Sequence, residues 1–475
     1  MIRKTAAALA ALSLATTPLL AQSSISTSDK AQGAKAHPQL LTEYGGRYGG
    51  PQAAFVDRVG KRVAVQSGLS NAQGDFTVTL LDSPVENAFA IPGGYVYVTR
   101  QLLALMNSEA ELASVLGHEV GHVAARHSAK RNSRSQIGSI LAAGLGALTG
   151  SDAIGQIAGY GAQLYTLGFS RSQEYAADGL GVRYITAAGY DPYAAADMLA
   201  ALDAETNLQA RIAGRDANAV PGWASTHPNG AERVEKAYKL AQKTRRPPAP
   251  AGQDTAFLRM LDGMVYDDNP DQGVVNGQTF SHPTLRLRFT APAGYKITNA
   301  ADAVTVSGNG GQAQFKAGPA ASDLGAYIDQ RFAELAGGQG RARRGEIRTF
   351  SANGIPAAQA TARASSNGRQ VDATIVAYRF PKATYQFLTV TAAGTGTGPF
   401  ANMTGGLAQL TPAQAAGIKG KRIRIVTVKA GDTIDSLAAQ MAYPDYRRER
   451  FITLNAIDPQ AGVRPGQLVK LVVIG

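Results

Sequence analysis

The sequence predicts an α+β chain of several domains: a mainly helical domain with a small edge-strand sheet, an α+β middle domain, and a small βααβ unit at the C-terminus. Its length of 475 residues exceeds what one hydrophobic core organises. A proline-rich run, Arg245-Arg246-Pro247-Pro248-Ala249-Pro250-Ala251-Gly252, divides the chain. Helical apolar spacing dominates before that run, and alternating apolar runs dominate after it. The expected units are a signal segment at 1–21, a first domain at 40–244, a linker at 245–253, a middle domain at 254–415 and a terminal unit at 422–475.

Arg3 and Lys4 precede an apolar run from Thr5 to about Leu20, followed by Ala21 and a polar stretch. The run falls short of the ~20 residues that span a bilayer, so it predicts a cleavable secretory signal and a bacterial periplasmic protein, associated with the outer membrane or cell wall. The chain has no cysteine, which excludes a disulfide framework and a lipid anchor on an N-terminal Cys. The net charge is +12, and the residues from Ala416 onward hold ten Lys and Arg against five acids. No nucleic-acid module accompanies this excess, so anionic envelope surfaces are the expected partner and nucleic acid is not.

In the first domain, Ala54, Phe55, Val59 and Val63 recur at helical spacing between Tyr48 and Ser67. Strands are expected at Phe76–Leu81 and around Pro92-Gly93-Gly94 within Asn87–Thr99. Asn107-Ser108 supplies a helix cap, with Glu109 and Glu111 in the first turn where the helix dipole favours acids. Residues 137–169 are small and apolar and are broken at Gly150-Ser151-Asp152. They predict two packed helices that can lean on a membrane surface. Further helices are expected from Gln173 to Ala187 and after Pro192. In the middle domain, a helix is expected over Asp323–Leu335, with strands at Thr284–Thr290, Gln370–Phe380 and Thr384–Thr391.

The helix capped at Ser108 carries His118-Glu119-Val120-Gly121-His122. Two histidines four apart on a helix differ by only ~40° in direction and ~6 Å along the axis, so both imidazoles can meet one tetrahedral ion. Glu119 then lies beside the ion, where a carboxylate can deprotonate the attacking water and later protonate the leaving amine. One zinc ion per chain is expected. A third protein ligand is needed, and His127, His227, His282 and the downstream acids are the candidates. His127 is nine residues past His118, about half a turn away in azimuth, and should point away. His282, before Pro283, reads as a loop residue. Glu174 is preferred, since it opens a helix that places Asp178 one turn on, positioned to orient a ligand histidine.

Four segments in order, NAFAIPGG at 87–94, HEVGH at 118–122, SRSQEYAAD at 170–178 and STHPNGAER at 225–233, resemble the motifs of HtpX/BepA-like gluzincin peptidases over roughly residues 44–243. The resemblance implies Glu174 as third zinc ligand and Asp178 as its orienting partner. It also implies that Asn87, Ala88, Phe89 and Ala90 lie along a cleft, where a peptide could pair by strand addition. His227 would approach the metal as a reversible fourth ligand or a transition-state donor, with Arg233 nearby. The chain lacks the multi-span region of HtpX and the tetratricopeptide pattern of BepA.

Residues 424–473 contain Gly431-Asp432-Thr433, Leu454-Asn455 and Pro465-Gly466-Gln467 in the order strand, helix, helix, strand, and they resemble a LysM domain. That resemblance implies binding to peptidoglycan. Together these readings predict a zinc-dependent endopeptidase acting on periplasmic or outer-membrane proteins in envelope quality control. The rival classes are a chaperone-like or wall-anchored scaffold with a latent or structural zinc site, and a cell-wall amidase.

Overall fold

The computed structural model describes residues 24–475, apart from 70, 128–168, 215–222, 224–226, 228–229, 250–251, 337–343 and 367–368. The signal segment and nearly all of the apolar stretch at 137–169 therefore lie outside the described residues. Among the described residues no helix is long and apolar enough to cross a membrane.

The first helix, α1 (Thr27–Glu43), begins at Ser26, whose side chain accepts the Asp29 N–H. α2 (Gly50–Ala64) has a proline in its first turn and buries Val56, Val59 and Val63, the spacing of one helix face. A three-stranded sheet follows: β1 (Thr77–Leu81), β2 (Ala88–Ile91) and β3 (Tyr95–Thr99), in the order β1-β3-β2. The stretch expected as one strand around Pro92-Gly93-Gly94 is thus a hairpin, because Gly93 and Gly94 adopt positive φ angles of 93° and 85° that turn the chain. Among the described residues β2 pairs only with β3 and forms an edge. α1, absent from the sequence expectation, lays Ala36, Leu40 and Tyr44 on Leu81 and Tyr97 of this sheet.

After α3 (Arg100–Leu105), the helix α4 (Glu109–Ala124) starts at Ser108, whose hydroxyl accepts the Glu111 N–H. It is crossed by α5 (Arg171–Ala187), opened by a reciprocal Ser170–Gln173 capping box. α6 (Ala194–Ala213) and α7 (Ala231–Lys243) complete the helical layer.

Beyond the proline-rich run, α8 (Thr255–Met260) and β4 (Val265–Tyr266) precede the middle region. There β5 (Val274–Asn276), β6 (Thr279–His282) and β7 (Leu287–Thr290) are joined by β15 (Ala408–Gln409) in a four-stranded sheet. A seven-stranded antiparallel sheet runs in the order β11-β12-β13-β14-β10-β9-β8. Its strands are β8 (Lys296–Asn299), β9 (Val304–Gly308), β10 (Gly311–Gly318), β11 (Arg348–Ala352), β12 (Ile355–Ser366), β13 (Arg369–Arg379) and β14 (Thr384–Ala392). The period of two sorts its residues. Ala358, Ala360, Ala373, Ile375 and Ala377 face the helix α9 (Leu324–Leu335). Val376, Tyr378 and Phe387 face Phe280 and Phe289 of the smaller sheet. The alanines let α9 approach closely. His282 ends β6, where its Nδ1 accepts the Leu285 N–H.

The chain ends in β16 (Lys421–Thr427), α10 (Ile434–Ala438), α11 (Arg447–Leu454) and β17 (Leu468–Ile474), with the two strands antiparallel. β4 adds a third strand beside β16. Phe451, Leu454, Val469 and Val472 belong to the same continuous core as Val59, Leu102 and Leu116 of the first domain.

Candidate metal centre

α4 and α5 cross at glycines. A Cβ on Gly117 would stand 3.1 Å from Ile185 Cγ2, and one on Gly181 would stand 3.1 Å from the backbone N of His118. This close crossing brings Glu174, in the first turn of α5, to the histidine face of α4. His118, Glu119, His122, Glu174 and His227 are all buried.

His118, His122, Glu174 and His227 each present a ligand atom, and these atoms lie within 4.8 Å of one another. The two His Nε2 atoms are 2.9 Å apart. Glu174 Oε2 is 3.4 Å from His118 Nε2, and Oε1 is 3.5 Å from His122 Nε2. His227 Nδ1 lies 3.2 Å from His118 Nε2 and 3.1 Å from Glu174 Oε1. Ligands about 2.1 Å from a tetrahedral ion are separated by about 3.4 Å, so this set fits zinc without rearrangement of the helices.

Each ligand has a partner on its far side. His118 Nδ1 is 2.9 Å from Asp178 Oδ1, and Arg233 grips both Asp178 oxygens, Nε at 2.9 Å and NH2 at 2.7 Å. Arg233 NH1 also reaches Glu174 Oε2 at 3.0 Å. His122 Nδ1 meets His127 Nδ1 at 3.0 Å, and the Phe169 ring stacks on His122. The expectation that His127 points away is therefore corrected: α4 stops at Ala124, and Arg126 takes a left-handed φ of 55° that turns His127 back. Helical azimuth does not apply past that residue.

Electrostatics prepare the donors. Burial lowers the basicity of His122, and the neighbouring His118 lowers it further, which leaves a neutral imidazole for coordination. Burial alone would lower His118 too, but the Asp178 and Glu174 carboxylates outweigh it and hold its pKa up at about 9 in the metal-free chain. Burial would raise Glu174, yet His227 and His118 keep it well below the usual carboxylate range and anionic. Glu119 is different: burial pushes its carboxyl up, and among the described residues neither oxygen has a hydrogen-bond partner, with Oε1 3.5 Å from His227 Nε2. A buried carboxylate left this way is suited to a water or substrate proton.

Of the residues expected along the cleft, Asn87 is buried, exchanges bonds with Thr99 and reaches the Tyr44 hydroxyl at 3.5 Å. Ala88, Phe89 and Ala90 form the edge strand β2, which packs beside α4. Sequence reasoning passed over Trp223, which stacks on His227 with ring centroids 4.1 Å apart. The aromatic four residues before His227 was the available signal.

A helix bearing two histidines and a glutamate, crossed by a second helix that brings Glu174, is a donor arrangement that can hold a zinc ion. Residues 51–241 match the profile of peptidase family M48. The chain is 31% identical over 212 residues to the mitochondrial metalloendopeptidase OMA1 of Schizosaccharomyces pombe, covering 44% of this chain and 59% of that protein. It is 28% identical over 260 residues to the beta-barrel assembly-enhancing protease of Yersinia pestis, covering 51% of this chain and 50% of that one. The corresponding protein of Escherichia coli K12 is 29% identical over 234 residues, with coverages of 46% and 45%. The chain thus spans about half the length of the curated relatives it matches.

Proposed function

We propose that this protein is a zinc metalloendopeptidase of the bacterial periplasm that cleaves envelope proteins within the chain, in quality control. The observation that carries the reading is Glu119: a buried carboxylate whose oxygens have no hydrogen-bond partner among the described residues, beside a set of donor atoms spaced for zinc. His118, His122 and Glu174 would hold the ion, which supplies Lewis acidity and makes the water it binds acidic near neutral pH. Glu119 takes the proton from the attacking water and delivers it to the leaving amine. Asp178 fixes the His118 ring, and Arg233 fixes Asp178 and Glu174 together. The open edge of β2 offers backbone partners to an extended peptide.

His227 favours a second state of the same site. With its Nδ1 at ligand distance from the other donors, it completes a four-ligand sphere and makes the resting centre latent. Withdrawn from that position, it can serve as a donor to the substrate carbonyl. The names of the beta-barrel assembly-enhancing relatives support an envelope substrate. The terminal βααβ unit, residues 422–475, is read as LysM-like and as a peptidoglycan contact, and residues 137–169 as a membrane-surface contact.

The test compares wild type with Glu119→Gln and Glu174→Ala on unfolded outer-membrane proteins, alongside metal analysis. Wild type is expected to cut them. The Gln variant should keep one zinc and lose cutting, and the Ala variant should lose the zinc. Cutting by Glu119→Gln at the wild-type rate would sink the mechanism. Full complementation by it with no cleavage by either protein would favour the scaffold reading. For the glycan contact, the full chain should sediment with purified sacculi, and soluble N-acetylglucosamine oligomers should release it.

A further inference from the structure

The inference rests on the metallopeptidase reading and concerns how peptide pairing acts on His227. Thr99 N–H donates to the Asn87 carbonyl, so the Asn87 backbone faces β3. Antiparallel pairing alternates, with Ala88 opposite Val98 and Ala90 opposite Val96. The outward row of β2, to which an added strand would bond, therefore consists of Glu86, Ala88 and Ala90. The first acceptor of that row is already taken: the Trp223 N–H donates to the Glu86 carbonyl at 2.8 Å. Trp223 in turn accepts the His227 N–H at 2.8 Å, and its indole lies flat on the His227 imidazole, 19° from parallel. Trp223 is 4% exposed, and its ring centroid is 5.6 Å from that of His118.

We propose that Trp223 is a positioning residue that links the peptide-pairing edge to the metal. Its stacked ring holds His227 at ligand distance, while its N–H fills the rung that an extended polypeptide would otherwise make with Glu86. Pairing of a peptide along the Glu86–Ala90 row displaces Trp223 from that rung and withdraws His227 from the ligand set. The substrate that opens the site is then any unfolded segment with free backbone donors, selected by its extended conformation rather than by one side chain.

Trp223 is the only tryptophan in the chain, so its emission reports this contact directly. Zinc release to a chromogenic chelator is measured for the full chain, for Trp223→Phe and for Trp223→Leu, each with His227 present or replaced by Ala. Aromatic stacking on the scale of 0.5–1.5 kcal/mol predicts zinc loss up to about tenfold faster for the Leu variant, and within about twofold of wild type for Phe. In the His227→Ala background the Leu substitution should add nothing. An equal acceleration in that background overturns the proposal, since Trp223 would then act by another route. The second arm adds reduced, carboxymethylated ribonuclease A, which contains no tryptophan, to zinc-loaded Glu119→Gln, with binding followed by anisotropy of the labelled ribonuclease. Trp223 emission should shift to the red as the unfolded chain binds; binding without a shift overturns the proposal even if the Leu variant fails to fold. Absence of any zinc from the wild-type chain defeats the metallopeptidase reading itself, and this proposal with it.

Discussion

Asp178 faces two cationic partners, the His118 imidazole and the Arg233 guanidinium, in a place where burial would otherwise raise its pKa; together they keep it ionised. As an anion it fixes the ring so that Nε2, not Nδ1, faces the metal, and it makes that nitrogen a stronger donor. Asp178→Asn keeps the shape but removes the charge. Zinc affinity should fall by about 10–100-fold, read by chelator competition, while the fold persists. His127 holds the corresponding place on His122, so His127→Ala should weaken zinc in the same assay and leave the HEVGH helix intact. At this scale helical spacing alone sets His118, Glu119 and His122 on one face. Glu174 with Asp178 is a preference that the family resemblance strengthens, and His227 comes from the resemblance only. The structure brings the His118, His122, Glu174 and His227 side chains together. His127 and Trp223 do not follow from spacing, because each depends on chain direction outside regular helix, where periodicity carries no information.

The element that decides metal geometry is the α4–α5 crossing, more than either helix alone. Gly117 and Gly181 remove the side chains that would hold the axes apart, and neither glycine is marked by a turn signal. Gly181→Ala puts a methyl 3.1 Å from the backbone N of His118 and 3.3 Å from Gly117. Overpacking of this kind costs about 1–3 kcal/mol, and the outward shift of α5 carries Glu174 with it. The expected outcome is a lower Tm together with weaker zinc binding, whereas an alanine at the open Gly179, with nothing near its Cβ, should change neither. The start of α4 was legible because caps are local, Ser108 accepting an N–H of the first turn it opens, whereas α5 starts at Arg171 behind its Ser170 cap, two residues before the expected Gln173. Of the four-stranded sheet β7 was legible in part, and the seven-stranded sheet was legible only at β13 and β14. Its remaining strands are rich in alanine, glycine and threonine, residues that acquire a strand preference only from the neighbours they pack on. Asp254 shows the same limit, since one of its oxygens caps α8 while the other accepts the first N–H of α4, 145 residues away.

Across the whole molecule, the last strand is part of the core that the metal-binding helices share. Lys470 on β17 is fully buried and donates to the carbonyls of Ala104, Leu105 and Met106 at the end of α3, the Leu105 oxygen also accepting from Asn107 Nδ2, with Glu111 of α4 nearby. Gln253 bonds both ways with Leu468, Gln52 reaches the Met260 carbonyl, and the Tyr48 hydroxyl accepts the Val265 N–H. The terminal unit and the metal-binding helices should therefore unfold in one transition, seen together by Trp223 emission and by far-UV circular dichroism. Lys470→Met removes the ammonium that these three carbonyls share and should cost about 2–4 kcal/mol. Its pH dependence has a definite sign. Burial depresses the lysine from its ordinary 10.5 to about 7. Below pH 7 it is charged in both states and the burial penalty is complete; between 7 and 10.5 only the unfolded chain keeps the proton, so stability rises with pH across that window. Burial raises Glu111 to about 7, so between its ordinary 4.5 and 7 only the folded chain keeps that proton, and stability falls as pH rises there. The two windows meet at a trough near pH 7. Urea midpoints measured at pH 5.5, 7 and 9 should trace it in wild type, and Lys470→Met should lose the rise above pH 7; a rise of the same size in the variant would show that this lysine does not set the alkaline limb.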